Sequence, residues 1–120
     1  MMVLQIYLVT VGVLTLIWWP GSHWLFPSFY HRVMGFTEQV DGRLVKIIGT
    51  CGLLPGLALV IAGCDPLASR GVVVALLPFF GAMATTFAYL TATGQLPKRE
   101  WINAALFGIN GLVIGVFYPW

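Results

Sequence analysis

Long apolar runs alternate along this chain with short polar or Gly/Pro-containing breaks, leaving four segments at about residues 2–19, 44–63, 71–93 and 101–118. A helix of about 20 mostly apolar residues crosses the hydrocarbon core of a bilayer, so each run is long enough to span a membrane. The breaks carry turn chemistry. Pro20-Gly21 is expected to end the first helix, Cys64-Asp65-Pro66 to make a tight turn after the second, and Gly94-Gln95-Leu96-Pro97 to separate the third from the fourth. Short connections make neighbouring helices antiparallel. The expected fold is therefore an all-α integral membrane protein, a single transmembrane domain over residues 1–120 built as an antiparallel four-helix bundle.

The first connection has a pattern of its own. Phe29, Tyr30, Val33 and Met34 recur at helical spacing behind Pro27, a residue suited to a first helical position. This predicts a short amphipathic helix lying in the membrane interface between helices 1 and 2. Thr37 then reads as an N-cap, with Glu38 and Asp41 in the first turn where negative charge suits the helix dipole. The second helix should thus begin several residues before its membrane-embedded part.

Composition agrees with the pattern: 8% of residues are charged and 59% hydrophobic, against about a quarter and about a half in soluble domains. The six Lys and Arg are divided unevenly. Arg32, Arg43, Lys46, Lys98 and Arg99 flank the first and third connections, while the opposite side has Arg70 alone. The positive-inside rule then places both connections in the cytoplasm and both termini outside, as in a bacterial cytoplasmic (inner) membrane. Trp18, Trp19, Trp24 and Trp101 at one boundary and Tyr118 and Trp120 at the other act as interfacial anchors. The N-terminus lacks the positive region and cleavage site of a secretory signal and reads as a retained span. A net charge of +2, scattered along the chain, provides no stripe to track a phosphate backbone and argues against nucleic acid as a partner.

Membrane helices associate through small residues and polar side chains, because lipid tails are as apolar as leucine. The second helix carries Gly49, Gly52, Gly56 and Gly63 on one face, and the fourth carries Gly108, Gly111 and Gly115 beside Ala104. These smooth faces read first as packing within the bundle and second as contact with another subunit. Pro55 and Pro78 each remove a backbone hydrogen bond, freeing the carbonyls of Cys51 and Val74. Counted inward from the outer boundary, both prolines, Asn110 and Thr10 fall about 12 Å deep. They form a layer of broken regularity in which Asn110 is available to a freed carbonyl, as structural glue or as the edge of a small outward-facing cavity.

Chemistry is sparse. No ionisable residue lies in the middle of a span, which disfavours a proton relay, and no His is placed there to hold a haem. His23, His31, Glu38 and Asp41 fall close together at the cytoplasmic interface and are metal-ligand types. Their spacing matches no zinc or iron signature, and histidines beside Trp and Tyr at a boundary ordinarily serve as anchors. Cys51 and Cys64 are thirteen positions apart, about 20 Å along one helix, too far for a disulfide, and a buried thiol is the ordinary expectation. Pro97 to Trp101 reads as a helix start and anchor with no further role. The pattern implies no particular cofactor. The partners it implies are the lipid bilayer and either a larger membrane protein or a second copy of the chain. Three functions follow in order: an accessory or assembly subunit of a larger membrane complex; a small oligomeric transporter or channel for a neutral or apolar solute; and a membrane enzyme or lipid-binding protein acting at the cytoplasmic interface.

Overall fold

Five helices account for nearly the whole chain in the computed structural model, which describes residues 1–37 and 41–120. They are α1 (Met2–Leu25), the short α2 (Pro27–Met34), α3 (Gly42–Cys64), α4 (Arg70–Ala92) and α5 (Lys98–Phe117). All but α2 are long and apolar enough to cross a membrane. The molecule measures 44 × 29 × 19 Å, and its long axis matches a bilayer with its headgroup layers.

Pro20-Gly21 does not end the first helix. The helix widens into a π turn over Ile17–Gly21 and continues to Leu25, with the Ser22 amide reaching back five residues to the Ile17 carbonyl. A π turn accommodates the missing proline N–H without breaking the rod. Side chains take up carbonyls around it: Ser22 Oγ donates to the Trp18 carbonyl, and His23 Nδ1 lies 2.8 Å from that of Trp19.

Helix α2 starts at Pro27 and stops at Gly35, whose φ of 85° is left-handed. There the Gly35 and Phe36 amides both bond the His31 carbonyl, the pattern of a glycine C-cap. The cap of α3 is Asp41, not Thr37: its carboxylate accepts the Arg43 amide at 2.9 Å, and Thr37 is non-helical. Asp41 directly precedes the helix, where its oxygen reaches the second amide. Glu38 lies outside the described residues. Helix α3 is interrupted at Gly52, whose amide turns to the Gly49 carbonyl three residues back, next to the carbonyl of Cys51 that Pro55 leaves without its partner. Helix α4 runs unbroken through Pro78, and α5 opens with a 3-10 turn at Lys98–Glu100 after Pro97.

The helices associate as two tight pairs, α1 with α3 and α4 with α5. Glycine makes the first pair close. A Cβ on Gly12 would lie 2.9 Å from the Gly56 carbonyl oxygen, and Cβ atoms on Gly63, Gly56, Gly52 and Gly49 would collide with Val9, Leu16, Trp19 and His23 respectively. The glycine face of α3 is thus occupied within the bundle. In the second pair Gly111 sits under Phe80, with Gly108 and Gly115 in looser contact with Ala84 and Leu77. The pairs meet at the end that holds both chain termini, through Leu4, Leu8, Leu59, Ala62, Val73, Leu76, Ile114 and Tyr118. Tyr118 closes that end by donating to the Pro66 carbonyl at 2.8 Å.

Candidate functional site

Toward the α2 end the two pairs separate, and a cavity of about 560 Å³ opens between them. Its walls come from both pairs. Helix α1 contributes Val11, Leu14, Thr15, Ile17, Trp18 and Trp19; α4 contributes Phe80, Met83 and Phe87; α5 contributes Leu106, Phe107 and Asn110. Phe107 is the centre of an aromatic set, stacked on Phe87 at 5.7 Å and edge-on to Trp19 and Phe79 at 6.0 and 6.1 Å. Leu14, Ile17, Trp18 and Leu106 are exposed on the outer surface as well as lining the cavity. The mouth therefore faces sideways from the spans, toward lipid.

The floor, at the α2 end, is polar and buried. His23 is 7% exposed, Asn103 6% and Glu100 1%. Tyr30 donates to Glu100 Oε1 at 3.1 Å, while Asn103 Nδ2 reaches the Tyr30 hydroxyl at 3.1 Å and Glu100 Oε2 at 2.5 Å. The His23 ring packs on that of Tyr30 at 4.5 Å, with Trp18 edge-on at 5.8 Å. Burial pushes the Tyr30 hydroxyl well above the ordinary phenol range, and the neighbouring Glu100 charge adds to the effect. Arg99 fastens α5 to α2 beside this cluster, donating to the Val33 carbonyl at 2.8 Å. The floor so joins α1, α2 and α5 beneath the cavity.

Of the three described metal-ligand types in the first connection, His23, His31 and Asp41, His23 alone lines the cavity. His31 stands edge-on to Tyr30, its Nδ1 2.7 Å from the Pro27 carbonyl of its own helix, and Asp41 caps α3. Among the described residues no three His, Cys, Asp or Glu side chains come together. Cys51 and Cys64 are free and exposed on the outer surface, where the sequence predicts buried thiols. Neither lines the cavity.

The expected polar layer divides. Asn110 lines the cavity wall, with Oδ1 accepting from Tyr7 at 2.5 Å and Nδ2 donating to its own helix at the Leu106 carbonyl. Its partner is thus a tyrosine of α1 and not a carbonyl freed by proline. Pro55 is buried, while Thr10 and Pro78 are exposed. Asn103 and Asn110, two turns or about 10 Å apart, mark the two levels of the cavity on one face of α5. That seven-residue repeat of asparagine in an apolar helix is the sequence signal that could have found the site. Glu100 has none, since its Lys98-Arg99-Glu100 setting is that of any interfacial anchor.

No family model, curated protein or solved structure matches this chain. It is a four-span membrane protein. What it can do chemically rests on the cavity: a nonpolar body would fit among the aromatic walls, and a hydrogen-bonding end would fit the floor.

Proposed function

We propose that this protein binds a membrane-dissolved, largely apolar ligand in the cavity between its helix pairs. The observation that carries this reading is a space of about 560 Å³ with apolar and aromatic walls, a lipid-facing mouth and a buried polar floor. That volume and lining are those of small-molecule sites, in which a few polar groups orient a mainly apolar ligand. The excess of Arg32, Arg43, Lys46, Lys98 and Arg99 around the α2 end supports an orientation with the floor toward the cytoplasm of a bacterial inner membrane. The test is mild extraction from the native membrane and mass spectrometry of small molecules retained by the protein. A defined apolar compound should co-elute stoichiometrically and be lost from Met83→Trp, which fills the cavity. Retention of bulk lipid alone, equal in both proteins, would sink the proposal.

A second reading, an accessory subunit docked on a larger membrane protein, has a separate observation behind it. Leu77, Gly81, Gly108, Gly111, Leu112 and Gly115 line a shallow groove on the outer side of α4 and α5, and a Cβ added at Gly81 would meet nothing within 4 Å. Small residues facing outward are suited to helix docking. Co-purification of a stoichiometric protein, lost on Gly81→Leu, would support it; a solitary chain in mild detergent would remove it.

A further inference from the structure

The polar floor narrows the ligand's chemistry, given that the cavity is a ligand site as proposed above. The donors of Ser22, Trp19, Tyr30 and Asn103 there are engaged. Ser22 Oγ–H serves the Trp18 carbonyl and the Trp19 indole N–H the Ile48 carbonyl at 3.1 Å. The Tyr30 hydroxyl serves Glu100, and the two N–H groups of Asn103 serve Tyr30 and Glu100. A carboxylate only accepts, so the Asn103 amide is oriented with nitrogen toward Glu100 and oxygen away. A carbonyl also only accepts, so the His23 nitrogen facing the Trp19 carbonyl carries the ring proton in the neutral imidazole, leaving a lone pair on Nε2.

Two polar atoms of the floor then have no partner among the described residues: His23 Nε2 and Asn103 Oδ1. Both belong to cavity-lining residues more than nine-tenths buried, and both are acceptors. We infer that the cavity takes a neutral alcohol or phenol, an apolar body ending in one hydroxyl whose hydrogen is donated to His23 Nε2 or Asn103 Oδ1. A ketone, quinone or ether brings only acceptors and would leave both atoms unpaired. A phosphate or carboxylate head would add negative charge beside the buried Glu100 carboxylate. An ammonium head would be stripped of water in an apolar space, and Glu100, which lies behind Tyr30 and Asn103, does not itself line the cavity. The free donors of the cavity, the Trp18 indole N–H, the Thr15 hydroxyl and the second N–H of Asn110, lie on the walls, with Asn110 about 10 Å from Asn103.

The experiment places the full-length protein in phosphatidylcholine nanodiscs, a lipid without a free hydroxyl, and follows tryptophan emission from the cavity during titration with farnesol, farnesyl methyl ether and farnesylamine. Farnesol should bind at least about tenfold tighter than the ether, equivalent to about 1.4 kcal/mol, and tighter than the amine. His23→Phe should bring farnesol down toward the ether while leaving ether binding in place, which also reports an intact fold. Equal binding of alcohol and ether by the unaltered protein, or tighter binding of the amine, overturns the hydroxyl inference and leaves the ligand cavity standing. Binding of none of the three overturns both.

Discussion

Gly12→Ala is a one-carbon change whose sign distinguishes a bundle clamped by backbone contact from one held loosely by side chains. The added Cβ would stand 2.9 Å from both the Gly56 carbonyl oxygen and the Val60 nitrogen, and 2.8 Å from Val60 Cγ2. Two of these three atoms are backbone, so no rotamer change relieves the collision. The helices must separate by about 0.5 Å to restore ordinary contact, and a gap of that order forfeits a quarter or more of each van der Waals well. Applied to ~40 contacts of ~0.15 kcal/mol along α1 and α3, this costs about 2 kcal/mol, inside the range of roughly 1–3 kcal/mol for overpacked cores. Gly81→Ala is the counterpart: nothing lies within 4 Å of its Cβ, and replacing a helical glycine should stabilise by about 0.5–1 kcal/mol. Thermal unfolding of both variants in the same detergent should move the midpoint down for Gly12→Ala and up for Gly81→Ala. A Gly12→Ala protein as stable as Gly81→Ala would refute the close approach of α1 and α3.

Three further outcomes are expected. Tyr30→Phe removes the donor to Glu100 and an acceptor of Asn103, and should lower stability by about 1–3 kcal/mol in denaturant titration because buried polar atoms lose their partner. Since Tyr30 titrates higher in the fold than free tyrosine, stability from this group is complete below about pH 10 and declines as pH rises through the elevated folded value; the decline should be shallower in Tyr30→Phe, read by the unfolding midpoint against pH. A membrane-impermeant maleimide should label Cys64, at the end of α3, and spare Cys51, which lies about 20 Å along the helix from Cys64 and inside the bilayer, where an aqueous reagent does not enter. Labelling of Cys64 from outside intact cells would support the orientation read from the cationic residues, and labelling only after lysis would reverse it.

The spans were legible because length and apolarity decide them, and the α2 helix because Pro27 and its 3–4 spacing declare an amphipathic turn. The true end of α1 was not legible at Pro20, since a proline that breaks an α turn is tolerated by a π turn, a choice made by the surrounding packing. Asp41 displaces Thr37 as the cap for a similar reason: both are capping residues, and spacing alone does not say which one adjoins the first helical turn. The glycines of α3 were legible as a contact face, and the structure supplies the partner, α1. The cavity was the least legible feature. It arises from two helix pairs diverging, which no single segment encodes, and its floor joins residues as far apart as Tyr30 and Asn103.

The sideways mouth formed by Leu14, Ile17, Trp18 and Leu106 also fixes the scale on which occupancy must be counted. A ligand entering there comes from the bilayer, where each methylene favours partition by about 0.8 kcal/mol, so almost none of it is in water. Diluting the aqueous volume then leaves the bound fraction unchanged, whereas adding empty lipid lowers it. The governing quantity is the mole fraction of ligand among lipids, and a modest preference for the cavity over the surrounding acyl chains is enough to keep it filled.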